Sequence, residues 1–355
     1  MLIFAFDLGN LLLLLATLRF TARSESPSER GSRLVYYVVL TWVLAPYVYS
    51  HLDLGVTFFV AMAILIMMTR LGWGWGFLFL ALGIHFKLTP MVLAPLFVIG
   101  SIPADGRVLS RVYLIAGRSL VLVAMVVAMF LPAWFWYGPR SLDFLVYHSG
   151  RGLQIESLYA NIVLLLRATG MLATVGFDHS SFSVSSPPGT SLAGLAPLFA
   201  GLGIVLVTLG YTGKLRAAGP AGTCAQSQPG LFAGTALLLL LVFIATNKVF
   251  SPQYLIWLPV LVAVCPLTGT PRTLMFTGFF LLALLTRMIY PNHYHSDIIR
   301  KATLLDGSVL YQGPNTFGLG LLTIRNVLFA CITIALGFFL VRPCCTPGLP
   351  PNNPS

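Results

Sequence analysis

Residues 119–139 read SLVLVAMVVAMFLPAWFWYGP, and no formal charge falls between Arg118 and Arg140. A helix that crosses the hydrocarbon core of a bilayer needs about 20 such residues. The run closes on Trp134, Trp136 and Tyr137, whose rings suit a membrane–water interface.

The pattern recurs along the chain. Residues 34–52, 54–69 and 249–271 also carry no formal charge, and further apolar stretches lie at 2–18, 71–86, 88–102, 158–175, 192–213, 231–247, 273–289 and 317–341. Of the 355 residues, 57% are hydrophobic and 9% charged, against roughly 25% charged in an average soluble domain. Mean hydropathy is +0.88. Too little polar surface remains to cover a water-exposed exterior, which excludes a soluble globular enzyme and a disordered chain. The expectation is an all-α polytopic membrane protein with about ten membrane segments. It forms one domain over 1–342, followed by a disordered tail at 343–355, PCCTPGLPPNNPS. Several runs are too short for a full crossing and are expected to be broken or re-entrant helices.

Positive charge assigns sides. Lys and Arg number 21 against 10 Asp and Glu, and the excess gathers at the ends of particular runs. Arg19, Arg23, Arg30 and Arg33 surround 21–33; Arg107, Arg111 and Arg118 follow the run at 88–102; Lys214 and Arg216 follow 192–213. The positive-inside rule then predicts that 21–33, 103–112 and 214–230 are cytoplasmic, with 138–157 and 290–316 outside. The runs 71–86 and 88–102 become a hairpin whose tip, His85 to Pro90, points outward, because Pro90 breaks the helix there. No basic run interleaved with aromatics speaks for nucleic acid. The five cysteines form no CxxC pair, so neither a disulfide framework nor a zinc site is expected, and no cofactor is called for elsewhere.

On that outer face the ionisable residues gather: His51, Asp53, Lys87, His148, Arg151, Glu156, Lys248, Arg287, His293, His295, Asp297 and Arg300. Cations outnumber carboxylates, a balance suited to an anionic ligand such as a phosphate. His293 and His295 read as part of a polar loop in preference to a metal site. Arg151 and Glu156, five apart, also fit an ordinary surface pair, and Arg167 and Arg325 fit contacts with bundle carbonyls.

Three stretches add a resemblance. His51-Leu52-Asp53 opens a span; Gly83-Ile84-His85-Phe86-Lys87-Leu88-Thr89-Pro90 follows, with Pro95 beyond it. Together they resemble the Lys-x-x-Pro pattern of glycosyltransferase family 87. Arg151-Gly152-Leu153-Gln154-Ile155-Glu156-Ser157 resembles an outer-loop motif of bacterial members. The run 247–257, NKVFSPQYLIW, is similar both to those proteins and to the luminal motif of the catalytic subunit of GPI mannosyltransferase I.

The resemblance covers about residues 50–260 and implies a type C glycosyltransferase fold in a bacterial plasma membrane. Such an enzyme moves a hexose, most often mannose, with inversion from a polyprenyl-phosphate donor to a lipid or glycan acceptor on the non-cytoplasmic face. An inverting transfer needs a base for the acceptor hydroxyl and cations for the departing phosphate. Lys87, Arg151, Lys248 and Arg300 are the phosphate candidates. Gln154 and Gln253 suit sugar hydroxyls, Tyr254 and Trp257 suit stacking, and His51 lies beside them. Asp53 and Glu156 are the carboxylates expected at the site.

The family places an acidic residue in an outer loop ahead of the span that Phe6-Asp7-Leu8-Gly9-Asn10 resembles. One or more N-terminal spans and the principal base are therefore expected to be missing, leaving this chain weak or inactive. A lipid-linked sugar flippase, a small-solute transporter and an inactive scaffold are the alternatives, since broken helices and intramembrane arginines serve those too.

Overall fold

The computed structural model describes residues 2–23, 25–48, 52–69, 71–103, 108–217, 224–303 and 309–341. The helices are α1 Leu2–Thr21, α2 Pro27–Val43, α3 Ala45–Val48, α4 Asp53–Met67, α5 Trp73–Phe86 and α6 Ala94–Gly100. They continue with α7 Val108–Tyr137, α8 Asp143–Gly150, α9 Leu158–Ala168 and α10 Pro187–Ala217. The last four are α11 Pro229–Thr246, α12 Pro259–Val264, α13 Gly269–Arg287 and α14 Thr316–Val341.

Among the described residues, six helical stretches are long and apolar enough to cross a membrane: Leu2–Thr21, Leu109–Gly150, Pro187–Ala217, Pro229–Thr246, Gly269–Asn292 and Thr316–Leu340. Five shorter apolar stretches accompany them, including Asp53–Met67, Trp73–Phe86 and Pro252–Val264. The protein is thus a multi-pass helical membrane protein in which part of the bundle is built from short, interrupted helices.

The interruptions have local causes. Pro90 lies in a 3₁₀ turn, Thr89–Leu93, between α5 and α6, and Lys87, at the end of α5, is fully extended. Pro90 has no N–H to carry the α5 ladder onward, and its ring crowds the carbonyl four residues back, so the helix ends. Pro252 and Pro259 do the same for 249–264, dividing it into a 3₁₀ turn, Pro252–Trp257, and α12. Ser26 caps α2 with a reciprocal bond to Glu29, and Ser157 caps α9 by accepting from the Ala160 N–H.

The fold departs from all-α in two places. β1 Leu153–Gln154, β2 Thr174–Asp178 and β3 Ser181–Ser185 form an antiparallel sheet in the order β1-β3-β2, and β4 Arg300–Thr303 pairs with β5 Val309–Gln312. The run 158–175 is therefore no span. Its helix stops at Ala168, and Thr174 onward turns through His179 and Ser180, both with positive φ, in a two-residue hairpin. The two sheets cover one end of the bundle, around a second small core of Ile155, Val163, Phe182, Val184 and Ile298.

At the other end of α12, Arg33 is 1% exposed. It pairs with Glu25 and donates to the carbonyls of Ala263 and Cys265 at 2.8 Å and of Leu267 at 2.9 Å. Those carbonyls follow a helix that has no further turn to accept from, and the guanidinium satisfies them.

Candidate functional site

Two neighbouring corners hold the chemistry. In the first, α4 and α5 pack closely, and Gly55 makes the approach possible: a Cβ there would stand 2.6 Å from the Phe86 ring. Phe86 immediately precedes Lys87, so this contact sets the height at which the lysine leaves its helix. Asn10 of α1 donates to the Leu54 carbonyl at 3.2 Å and fixes the start of α4 from the other side.

Asp53, in the first turn of α4, is 6% exposed. Its Oδ1 accepts from Lys87 Nζ at 2.7 Å and from Trp257 Nε1 at 2.8 Å. The carboxylate also lies at a helix N-terminus, where the macrodipole favours negative charge. The Lys87 ammonium stands 5.0 Å from the Trp257 ring centre and 5.4 Å from that of Tyr254. The two rings stack on each other, 4.4 Å apart and 23° from parallel. Thr57 ties the turn down by donating to the Ile256 carbonyl at 3.1 Å. An ammonium has three protons, so one on Asp53 leaves two for other acceptors.

The second corner is a cleft of about 340 Å³, lined by Tyr47, Gln154, Glu156, Phe177, Ser180, Ser181, Phe182, Ser251, Pro252, Gln253, Tyr290, Tyr294 and His295. The turn Pro252–Trp257 joins the corners: its first residues line the cleft and its later ones meet Asp53 and Lys87. Glu156 is 1% exposed. Gln154 Nε2 donates to its Oε2 at 3.3 Å, while Glu156 Oε1 and Gln154 Oε1 are buried without hydrogen-bond partners. Burial raises the Glu156 carboxyl to about 7, with the nearby Arg325 charge pulling the other way.

Arg325, wholly buried in α14, donates to the Glu156 carbonyl oxygen at 2.7 Å and lies 4.0 Å from the Phe250 ring centre. Asn326 donates to the same carbonyl at 3.4 Å. The backbone of Glu156 is thereby pinned, and its carboxyl is left to face the cleft.

The cations arrange around these corners. Arg151 donates to Ser181 Oγ at 2.9 Å and lies 5.8 Å from the Tyr147 ring centre. Lys248 Nζ donates to the Ser149 carbonyl at 2.9 Å, and its own carbonyl accepts from the Gln154 N–H at 3.0 Å. Burial, then the charge of Arg151, lowers the Lys248 ammonium. Arg151, Lys87 and Lys248 all bear electrostatically on His148.

Most of the residues expected at the site are thus brought together: Asp53, Lys87 and Tyr254 in one corner, Gln154, Glu156 and Gln253 in the other, with Arg151 and Lys248 alongside. Arg300 is not. It sits in the β4–β5 hairpin and donates to the Gly313 carbonyl at 3.3 Å, because the chain after 299 leaves as a strand. His51 lies outside the described residues. Arg151 and Glu156 do not form a surface pair, since the first bonds Ser181 and the second is buried. His293 bonds Asp297 at 2.9 Å, and Ser296 and Asn315 hold the same carboxylate. These bonds keep the Asp297 carboxyl at about 2. Among the described residues, no group of three His, Cys, Asp or Glu could hold a metal ion.

Residues missed from sequence are the cleft tyrosines Tyr47, Tyr290 and Tyr294. Tyr47 lies in an apolar run, Tyr290 just past the end of one and Tyr294 between two histidines, a pattern that carries no signal of a shared cleft. No family model, curated protein or solved structure matches the chain.

Proposed function

We propose that the protein is a hexosyltransferase that uses a polyprenyl-phosphate sugar, mannose in the first instance, at the non-cytoplasmic face of a bacterial plasma membrane. The observation that carries this reading is convergence. Three stretches distant in sequence, 53, 87 and 253–257, meet in a corner where an ammonium covers two stacked rings beside a cleft that holds a buried carboxyl with one unpartnered oxygen. These are also the stretches whose motifs resemble family 87.

The parts divide the work. Lys87, with Arg151 and Lys248, meets the phosphate oxygens, while Asp53 fixes the direction of the Lys87 ammonium. Tyr254 and Trp257, both buried, form the base on which the Lys87 ammonium rests, and Gln154 and Gln253 meet the sugar hydroxyls. Glu156 has one free oxygen and a proton affinity near neutrality, which fits a general base. The acceptor oxygen attacks the anomeric carbon and the bond from that carbon to phosphate oxygen breaks. The electron pair stays on the leaving polyprenyl phosphate, and the hydroxyl proton passes to Glu156.

The test is transfer of radiolabelled mannose from polyprenyl phosphate in membranes holding the wild-type chain, Lys87→Ala or Glu156→Gln. Transfer by the wild type that both substitutions remove supports the reading. Movement of the lipid-linked sugar across the membrane with no transfer would replace it with the flippase.

A further inference from the structure

Tyr254 and Trp257 are buried beneath Lys87, so neither offers a free ring face to a substrate. The free faces lie elsewhere. Five aromatic rings line the cleft of about 340 Å³: Tyr47, Phe177, Phe182, Tyr290 and Tyr294. Four of them run as a shelf. Between ring centres, Phe177 lies 4.9 Å from Phe182, Phe182 lies 6.1 Å from Tyr294, and Tyr294 lies 5.1 Å from Tyr290. The inner two are buried, whereas the ends, Phe177 and Tyr290, are 56% and 40% exposed.

The strand pattern explains the overhang of Phe177. Side chains along β2 and β3 alternate between the two faces of the sheet. Val175, Phe182 and Val184 enter the small core, and Phe177, paired across the ladder with Phe182, is the last residue of β2 on that face. It passes the edge of the core and lines the cleft instead. The opposite face carries Thr174, Asp178, Ser181, Ser183 and Ser185, a composition suited to water and not to lipid. A shelf of open rings rimmed by polar residues marks a ligand groove. Both ends of the shelf are held before any ligand arrives. The Tyr147 hydroxyl donates to the His179 carbonyl at 2.6 Å, and Arg151 donates to Ser181, at the hairpin turn. The Tyr47 hydroxyl donates to the Tyr290 carbonyl.

The rest of the lining sets the chemistry of the ligand. Ser180, Ser251, Gln253 and His295 stand around the shelf, and all four keep accessible surface. Among the described residues, the lining holds no lysine or arginine. A phosphate calls for those cations and belongs at the Lys87 corner. The cleft suits a neutral ligand with one flat apolar face and a rim of hydroxyls. A pyranose chair has that form, with C–H bonds on its face and hydroxyls around its edge. Resting on the hexosyltransferase reading, we propose that Phe177 and Tyr290 are the platform on which a hexose ring stacks. Ser180, Ser251, Gln253 and His295 take the hydroxyls of that ring. A ring of the donor and a ring of a glycan acceptor present the same face, and kinetics separate the two.

The full chain in nanodiscs is titrated with methyl α-mannopyranoside, and binding is read by saturation-transfer NMR, apart from any transfer. The ring protons should take up saturation, and inorganic phosphate at equal concentration should not displace the glycoside. Phe177→Ala and Tyr290→Ala should each weaken binding about tenfold, the scale of one aromatic face. Phe177→Trp and Tyr290→Phe keep a flat ring and should bind as wild type does. Phe177→Leu, apolar but not flat, should behave as Phe177→Ala. In the transfer assay, a KM for mannosyl polyprenyl phosphate about tenfold higher in the alanine variants assigns the platform to the donor ring. An unchanged donor KM with weakened glycoside binding assigns it to a ring of the acceptor. Absence of glycoside binding by wild type, its displacement by phosphate, or unchanged binding in both alanine variants would overturn the proposal. Transfer that persists in those cases leaves the hexosyltransferase standing without this platform. Ring-dependent binding with no transfer would remove the enzyme and keep the platform.

Discussion

Asp53 and Glu156 are both buried carboxylates, yet their surroundings are opposite. Asp53 starts a helix and has one oxygen filled by an ammonium and an indole N–H. Glu156 has one oxygen touched by an amide and the other by nothing. A carboxylate whose charge is matched serves to hold its partners in place, whereas an unmatched one in low dielectric is drawn toward its protonated form. Equal burial therefore yields an anchor in one corner and a proton acceptor in the other.

The sharpest way to break this division is at Glu156. Glu156→Gln keeps the shape and the amide contact but cannot take a proton, and transfer should fall about 10²–10⁴-fold in the radiolabelled assay. Removing Lys87 should cost slightly less, about 10²–10³-fold, since Arg151 and Lys248 remain. Asp53 responds in a different observable. Asp53→Ala strands the Lys87 ammonium and the Trp257 N–H, and should destabilise the protein by about 2 kcal/mol, read by thermal unfolding in detergent. The double substitution Asp53→Leu with Lys87→Met should recover much of that stability while staying inactive. If Asp53→Ala were as stable as wild type, the anchor role would be wrong.

The pH dependence separates the two carboxylates further. The Glu156 carboxyl lies above its ordinary value of 4.5, at about 7, because of burial. A raised folded-state value stabilises below 4.5, and that contribution is lost as pH rises through 7. Glu156→Gln should therefore melt higher than wild type at pH 8 and differ little at pH 4. Transfer by the wild type should rise with pH to a plateau just above 7, as its base deprotonates. The smallest effect belongs to Lys248→Ala, a few-fold in rate, because Lys248 is bound to the Ser149 carbonyl.

Much of this was legible from composition and spacing. The apolar runs at 2–18, 119–139, 192–213, 231–247, 273–289 and 317–341 located the six long helices, and Pro90 marked where one short helix breaks. Lys87 stood out as a lone cation between apolar runs, and Asp53 as the carboxylate at a helix start. What sequence could not supply was the pairing of distant chain. Nothing at 53 announces Trp257 as its partner, since an indole N–H carries no pattern of its own. The strands escaped because the apolar run of α9 was read on through Val175, while the serine-rich stretch beyond it offers only the short alternations Val175, Phe177 and Phe182, Val184. Arg300 was grouped with the site on charge alone, a property that holds a residue at a membrane face without fixing where along it.

The Arg33 clamp has a consequence in time. Arg33 and Glu25 emerge about 230 residues before the carbonyls of Ala263 and Cys265 that the arginine holds. At about 5–20 residues per second, the guanidinium waits roughly 10–50 s for them during synthesis. In that interval the pair has only each other and the headgroup region to satisfy it, so it waits at the membrane surface. The short segment through α12 then docks its bare carbonyls onto a cation already in place, before α13 and α14 are added. Assembly is therefore sequential, with the turn that carries Tyr254 and Trp257 arriving onto a floor that α4 and α5 have already laid and ahead of α13 and α14.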